Sequence, residues 1–238
     1  MSKVFAYVGC YTESGGSGRG QGISVYEVDP ELGRWSAGRL AAATDNPSFL
    51  TVDPRGEHLY CVHGGNFSEI SAFAIDRSTG DLTPLNSQPS GGRNPVHLDI
   101  EPTGRMMVVA NYTEGTVESL PIAADGSLEP PTNVFSHRDL VSSEVSEPIV
   151  SQPHHSPFDP AGHFAVVPDK GLDRLFVYRA DPETATLAPN DPPTVATHAG
   201  AGPRHIAFHP SAPYAYVVNE VDPTDTVYGY DAERGSLQ

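Results

Sequence analysis

Among the prolines that follow an acidic residue or a histidine, four lie at intervals of 48, 58 and 50 residues, and this repeat limits the possible folds most strongly. The four copies are Pro54, Pro102, Pro160 and Pro210. In the first three copies a glycine follows two residues later, and in all four an apolar run comes next. Such runs, rich in β-branched and aromatic residues and bounded by turn residues, predict β-strands.

Each repeat unit carries signals for four strands. One apolar run precedes the proline, a second follows it, a third lies further along, and a turn such as Thr79-Gly80-Asp81-Leu82 leads into a fourth. Glycine in this turn gives the backbone the freedom that a tight hairpin needs. A four-stranded unit of roughly 40–50 residues is typical of a β-propeller blade. We therefore predict an all-β fold, a β-propeller of four-stranded antiparallel blades, with no helix longer than about two turns.

The repeat predicts a single propeller domain over residues 1–238 with about five blades' worth of sequence. Its divisions are a partial blade at 1–44, blades at 45–92, 93–150 and 151–200, and a partial blade at 201–238. The first blade begins with a segment that parallels a second strand, so its inner strand is missing and we expect the domain to be truncated. An insertion between Pro130 and Ser151, including the polar run Ser142 to Glu147, predicts a surface loop. That loop is either a solvated insertion or a cover over the site.

Composition excludes several function classes. The chain has 30 acidic against 14 basic residues and a formal charge of −16, so it should repel nucleic acids and anionic membranes. No apolar stretch approaches the ~20 residues of a membrane span, and the first residues lack a signal-peptide core, so we expect a cytoplasmic protein. Two cysteines, Cys10 and Cys61, provide neither a disulfide framework nor a zinc site. No cofactor and no metal is predicted, and the oligomeric state stays open.

Candidate site residues occupy fixed positions relative to the repeated prolines. Six residues before them lie Ser48, Val96, His154 and Arg204, and five before lie Phe49, His97, His155 and His205. Inner strands line the channel of a propeller and their side chains alternate in direction, so His154 and Arg204 should point the same way. Nine and ten residues after the prolines, at the same rim, lie His63, Asn111, Asp169 and Asn219, then Gly64, Tyr112, Lys170 and Glu220. Glu220 should therefore come within reach of Arg204.

Several candidates also have a structural interpretation. The repeated histidines His97, His155 and His205 could each hydrogen-bond the backbone of the next blade. Glu220 could serve only as the salt-bridge partner of Arg204. An arginine on an inner strand faces a narrow channel, where its charge requires a partner or an anionic ligand, and this favours a functional role for Arg204.

Five segments resemble the lactonase family of seven-bladed propellers, which includes bacterial 6-phosphogluconolactonases and fungal carboxy-muconate cyclases. The segments are 202–210, 216–220, 94–97, 109–112 and 168–174. The resemblance implies a seven-bladed ring whose site uses a histidine, an arginine and a glutamate, which match His154, Arg204 and Glu220. Because two histidines are adjacent here, whereas the family usually separates them by one residue, His155 is an alternative to His154.

The resulting hypothesis is hydrolysis of a sugar-acid lactone, with 6-phosphogluconolactone converted to 6-phosphogluconate as the leading case. A general base would activate water, and an arginine would stabilise the developing negative charge. The predicted catalytic residues are His154, Arg204 and Glu220, and the predicted substrate-binding residues are His97, Asn111, His155, His205 and Asn219. The alternatives are a muconate-type lactonizing cyclase and a non-catalytic propeller that binds a partner. The expected partner is a small lactone rather than a nucleic acid or a membrane.

Overall fold

A computed structural model describes residues 3–12, 18–142 and 150–238, and these residues form five antiparallel sheets and one four-residue helix, α1 (His137–Leu140). The first sheet contains β1 (Val4–Gly9), β2 (Gly22–Asp29), β3 (Arg34–Trp35) and β4 (Arg39–Ala43). The second contains β5 (Pro47–Val52), β6 (His58–His63), β7 (Glu69–Ile75) and β8 (Leu82–Pro89). The third contains β9 (Pro95–Ile100), β10 (Met106–Asn111), β11 (Thr116–Pro121) and β12 (Asn133–Ser136). The fourth contains β13 (Phe164–Asp169), β14 (Arg174–Asp181) and β15 (Thr186–Ala196), and the fifth contains β16 (Pro203–Phe208), β17 (Tyr214–Asn219), β18 (Asp225–Asp231) and β19 (Ser236–Leu237).

The sheets have the blade topology that the repeat predicts. In the second, third and fifth sheets four strands pair in chain order, each antiparallel to the next. In the first sheet β1 forms one edge, and both β3 and β4 pair with β2 on the other side. The prediction of an all-β fold of antiparallel blades is thus confirmed.

Four hydrophobic cores lie between the five sheets, one for each pair of neighbours. Strand β10 shows how this arises, because Met106 and Val108 enter the core shared with the fourth sheet, whereas Met107 and Val109 enter the core shared with the second. Alternate residues of β13 likewise divide between two cores. Side chains of a strand alternate between the two faces of a sheet, so a blade buried on both faces needs the continuous apolar runs seen in the sequence.

The repeated prolines lie in the turns that join the inner strand of a blade to its second strand. The side chain before the proline accepts hydrogen bonds from backbone N–H groups of the turn, as when Asp53 binds the amides of Glu57 and His58 at 2.7 and 3.1 Å. Gly56 follows with a φ of +68°, a conformation that favours glycine. The repeated proline therefore marks a turn whose backbone N–H groups are capped by the side chain that precedes the proline.

The fourth blade departs from the four strands expected of each unit. Its inner segment, 151–158, forms no strand, and its backbone pairs with β13 only at isolated bridges, at Pro153 and Phe158. Pro153 and Pro157 lack the N–H group that a regular ladder requires, so this segment crosses the blade irregularly. Within the described ranges, no helix is long and apolar enough to cross a bilayer.

The insertion of the third blade is described only in part. Its first half forms β12 and α1, and the polar run beginning at Ser142 continues into residues 143–149, which lie outside the described residues. The two interpretations of this loop, a solvated insertion and a cover over the site, therefore both stay open.

Candidate active site

A β-bulge at the start of the inner strand positions the first row of side chains, which are those six residues before the repeated prolines. On β5, Pro47 pairs with His63 and Phe49 pairs with Val62, so Ser48 is left as an extra residue. The same register shift leaves Val96 unpaired on β9 and Arg204 unpaired on β16. Bulges re-aim side chains and are frequent beside active sites. Strict alternation, expected from the sequence, is therefore wrong at this point of the inner strands.

With these bulges, the side chains of both rows, except that of His155, line one cavity of about 260 Å³. The lining residues are Tyr11, Ser48, Phe49, Val96, His97, His154, Arg204 and His205. The cavity thus brings together four of the eight candidate residues, and its volume is slightly below the usual range for ligand pockets. Tyr11, Ser48, Phe49 and Val96 were not among the candidates, although three of them belong to the same repeated columns.

The second row consists of the side chains five residues before the repeated prolines, and it forms a continuous arc of aromatic rings across four blades. Ring centroids of neighbours lie 4.3 Å apart for Phe49 and His97, 4.0 Å for His97 and His155, and 4.6 Å for His155 and His205. Nδ1 of His97 accepts a hydrogen bond from the backbone N–H of Ser156 at 3.1 Å, and Nδ1 of His155 accepts one from Ile206 at 3.2 Å. Each of these two histidines therefore binds the backbone of the next blade, as their structural interpretation requires.

These backbone contacts also determine which ring nitrogen carries the proton. A backbone N–H can only donate, so Nδ1 is unprotonated and the proton of the neutral ring lies on Nε2 in both His97 and His155. Burial lowers the pKa of His97 well below its usual range, and burial together with His205 and His154 lowers the pKa of His155 to about 3. Both rings are neutral at physiological pH, and His97 contributes a neutral donor to the cavity wall.

Arg204 connects the cavity to the rim. Its Nε lies 3.2 Å from Nε2 of His154 and 2.7 Å from Oε2 of Glu220. The other carboxylate oxygen of Glu220, Oε1, accepts a hydrogen bond from Nζ of Lys170. The structure thus brings together the three predicted catalytic residues, and it selects His154 rather than His155 as the histidine that contacts Arg204.

The charges around Arg204 set the protonation states of its neighbours. Burial, reinforced by the Arg204 cation, lowers the pKa of His154 to about 4, so this ring is neutral at pH 7 and can accept the hydrogen bond from Nε. The hydrogen bond from Lys170, with the nearby charges of Lys170 and Arg204, lowers the pKa of Glu220 below its usual value. Burial and Arg204 also lower the pKa of His205. A neutral imidazole and an ionised carboxylate therefore flank the guanidinium.

Lys170 and Tyr112 complete the rim and were not selected from the sequence. Nζ of Lys170 lies 6.0 Å from the ring centroid of Tyr112, whose ring meets that of His154 edge-on at 5.6 Å. Both residues occupy the column ten residues after the proline, which also contains Glu220. The repeated column was the signal that could have identified them, because residues in one column of neighbouring blades converge on the channel.

Asn111 and Asn219, predicted to bind substrate, are buried behind the rim and do not line the cavity. Nδ2 of Asn111 donates to Oγ1 of Thr116 at 3.2 Å, and Nδ2 of Asn219 donates to the hydroxyls of Thr224 and Thr226 at 3.0 and 3.1 Å. These bonds fix the turn after the second strand of each blade. The structure therefore separates them from the residues around Arg204.

One group of metal-capable side chains occurs among the described residues, at the opposite end of β5 from the cavity. It consists of Asp53, Glu57 and His58. Oδ1 of Asp53 already accepts two backbone hydrogen bonds, and Nε of Arg55 lies 3.6 Å from Asp53 and 3.2 Å from Glu57. A cation already occupies the position beside these carboxylates, so the group fits a capped turn better than a metal centre.

Comparison with known proteins gives consistent matches along the chain. The family model described as "Lactonase, 7-bladed beta-propeller" matches residues 5–238. A 6-phosphogluconolactonase of Bacillus subtilis (strain 168) is 32% identical over 239 residues, which cover 100% of this chain and 66% of the relative. A 6-phosphogluconolactonase of Formosa agariphila is 27% identical over 240 residues, which cover 98% of this chain and 65% of the relative.

A solved structure shows the same arrangement of blades. The periplasmic gluconolactonase PpgL of Pseudomonas aeruginosa matches with a TM-score of 0.86 and 31% sequence identity, over 100% of this chain and 67% of that chain. The chain therefore spans about two thirds of the length of the relatives that it matches.

Proposed function

Because the chain belongs to the lactonase family of seven-bladed β-propellers, we propose that it hydrolyses the lactone of a sugar acid, with 6-phosphogluconolactone as the leading substrate. The observation that carries this proposal is the guanidinium of Arg204, held through Nε by His154 and Glu220 at the mouth of a cavity. The names of the relatives support the choice of a sugar-acid lactone.

Arg204 stabilises the charge that develops during the reaction. When water attacks the lactone carbonyl, the carbonyl oxygen becomes negative in the tetrahedral intermediate. A guanidinium that is already oriented by two neighbours needs little reorganisation to stabilise this oxygen. His154 positions Arg204, because its neutral Nε2 accepts the N–H of Nε and keeps the terminal nitrogens available for the ligand.

Glu220 is the general base of the proposed reaction. Its carboxylate is ionised and its side chain is 41% exposed, so it can reach a water molecule, whereas Nδ1 of His154 is buried. Glu220 accepts a proton from the attacking water as the new C–O bond forms. The ring C–O bond then breaks, and the leaving alkoxide takes that proton from Glu220, which gives the open hydroxy acid and restores the carboxylate. One water molecule is consumed, and the acid product releases its proton at neutral pH.

The test is enzyme-dependent acid release from 6-phosphogluconolactone and from unphosphorylated gluconolactone, corrected for spontaneous hydrolysis, with the product identified by NMR. Glu220→Gln retains the shape of the side chain but removes the base, so kcat/KM should fall about 10²–10⁴-fold. Glu27→Gln is the matched control, because Glu27 forms a similar pair with Lys3 at a distance from the cavity. No acceleration over the spontaneous rate, or equal rates for wild type and Glu220→Gln, would overturn the proposal.

Product analysis also distinguishes lactone hydrolysis from the reverse type of reaction, in which a cyclase forms a lactone from an acid. A cyclase would convert a muconate-type acid into its lactone and leave the sugar lactones unchanged. The cyclase and the partner-binding propeller stay alternatives that this experiment decides. A cytoplasmic location stays a prediction, because the Pseudomonas aeruginosa structure is named as a periplasmic protein. Cell fractionation would test it.

A further inference from the structure

Among the described residues, two cations and one carboxylate lie close together at the rim of the cavity. Lys170 and Arg204 each bind one oxygen of Glu220, and the rings closest to them, His154 and His205, have lowered pKa values and are neutral at pH 7. Lys170, Arg204 and Glu220 together carry a net charge of +1, although the whole chain has a formal charge of −16.

The position of Glu220 shows how an anion fits between the two cations. Its two oxygens bridge Nζ of Lys170 and Nε of Arg204, so both cations lie within reach of a single oxyanion group. Lys170 is one of only two lysines in the chain, and its side chain is only 21% exposed. An ammonium group has three donors, and Glu220 uses one of them, so Nζ can bind a ligand oxygen without releasing Glu220.

We propose that Lys170 is the residue by which this site selects lactones that carry an anionic group, a phosphate or a carboxylate, away from the reacting carbonyl. This inference rests on the proposed lactone hydrolysis. Lys170 binds the anionic group through Nζ, while the terminal nitrogens of Arg204 face the lactone carbonyl and the lactone ring enters the cavity lined by His97 and His205. A neutral sugar lactone uses the same cavity but makes no contact with Lys170.

The experiment compares Lys170→Gln with Lys3→Gln on 6-phosphogluconolactone and on unphosphorylated gluconolactone. Lys3 is the other lysine of the chain and forms its own ion pair with Glu27 at 2.9 Å, so it is a matched control. For Lys170→Gln, kcat/KM on the phosphorylated lactone should fall about 10- to 100-fold, mainly through KM, because a charge-assisted hydrogen bond to the ligand is lost. The loss on the unphosphorylated lactone, which Lys170 affects only through Glu220, should be several-fold smaller, and Lys170→Arg should recover part of the loss on the phosphorylated lactone.

A carboxylated lactone serves as a third substrate and identifies which anion Lys170 selects. Equal losses on charged and neutral lactones would overturn the proposal, because they would show that Lys170 only holds Glu220 in place. Calorimetric titration with 6-phosphogluconate tests the anion site without turnover. Binding that is lost in Lys170→Gln and retained in Lys3→Gln supports the proposal even if no lactone is hydrolysed, whereas equal binding by both variants contradicts it.

Discussion

Nε of Arg204 contacts two acceptors, the neutral imidazole of His154 and the charged carboxylate of Glu220. It lies 3.2 Å from the imidazole of His154 and 2.7 Å from the carboxylate of Glu220. Holding a guanidinium by its inner nitrogen leaves its planar outer edge for the ligand, where two parallel N–H groups match a carboxylate or phosphate. The proposed site therefore depends on three side chains acting as one unit rather than on any of them alone.

The pH dependence of the reaction should reflect the lowered pKa values in this unit. The active forms are neutral His154, whose pKa burial and Arg204 lower to about 4, and ionised Glu220, whose pKa the hydrogen bond from Lys170 also lowers. Since lowering the pKa of a base extends its active form to lower pH, kcat/KM should be constant from pH 7 to pH 5. The acid limb should have its midpoint below pH 5 in a pH–rate profile. A midpoint near 6.5, the value of an ordinary histidine, would contradict these assignments.

His97 should contribute to stability through its bond to the next blade. The change His97→Phe introduces the residue found at the equivalent position of the preceding blade, Phe49, and leaves the N–H of Ser156 without its acceptor. The expected loss at pH 7.5 is about 1–3 kcal/mol in the free energy of unfolding. His163→Phe is the control, because His163 is exposed and should change stability by less than about 0.5 kcal/mol.

At acidic pH, His97→Phe should lose less of the free energy of unfolding, relative to wild type, than at pH 7.5. Folding keeps His97 neutral because burial lowers its pKa, whereas the unfolded chain binds a proton below about pH 6.5. The unfolded state of the wild type therefore gains stability as the pH falls, and the difference between wild type and His97→Phe should narrow by about 1.4 kcal/mol from pH 7.5 to pH 5.5. Urea unfolding at both pH values measures this, and a constant or growing difference would show that His97 is not held neutral.

At the scale of single elements, the turn after β13 connects the insertion of the third blade to the rim. Oδ1 of Asp169 accepts hydrogen bonds from the amides of Gln152, Gly171 and Leu172, at 2.8, 3.1 and 3.1 Å. Its Oδ2 lies 2.8 Å from Nδ1 of His137, which belongs to α1. Asp169 is fully buried and directly precedes Lys170, so this network determines where the turn presents the lysine.

Asp169→Asn should therefore be among the most destabilising changes in the chain. It replaces a buried acceptor of several hydrogen bonds by an amide that must present donors to some of the same N–H groups, and the expected loss is about 3 kcal/mol. Chemical denaturation of this variant is compared with that of Asp231→Asn, which alters a similar turn that is exposed. Equal losses in the two variants would refute a special role for the Asp169 network.

Some elements could be predicted from the sequence and others could not. The strands of complete blades were predictable because both faces are buried, which requires long apolar runs such as β6, β10 and β13. The bulges were not, because an unpaired residue leaves the apolar pattern unchanged and appears only in the register of the partner strand. The irregular segment 151–158 keeps the spacing of an inner strand, although its prolines prevent regular pairing.

Across the whole molecule, each blade contacts its neighbours through one core, and the candidate residues come from several blades. His97, His154 and Arg204 lie in three different blades, yet they line one cavity because the blades repeat around a common channel. Spacing from the repeated proline could predict this convergence. It could not predict that Asn111 and Asn219 lie behind the rim, since residues in adjacent columns differ only in the direction of the side chain.

The most direct test of the account is the rate of 6-phosphogluconolactone hydrolysis by wild type, Arg204→Ala and Arg93→Ala. Arg93 also binds a carboxylate through Nε, that of Glu114 at 3.0 Å, but does not line the cavity, so it is a matched control. If Arg204 has the proposed role, wild type and Arg93→Ala should both hydrolyse the lactone faster than the spontaneous rate. For Arg204→Ala we expect a loss on the order of 10²-fold in kcat, because the developing negative charge on the carbonyl oxygen loses its stabilising cation. Equal turnover by all three proteins would contradict the account.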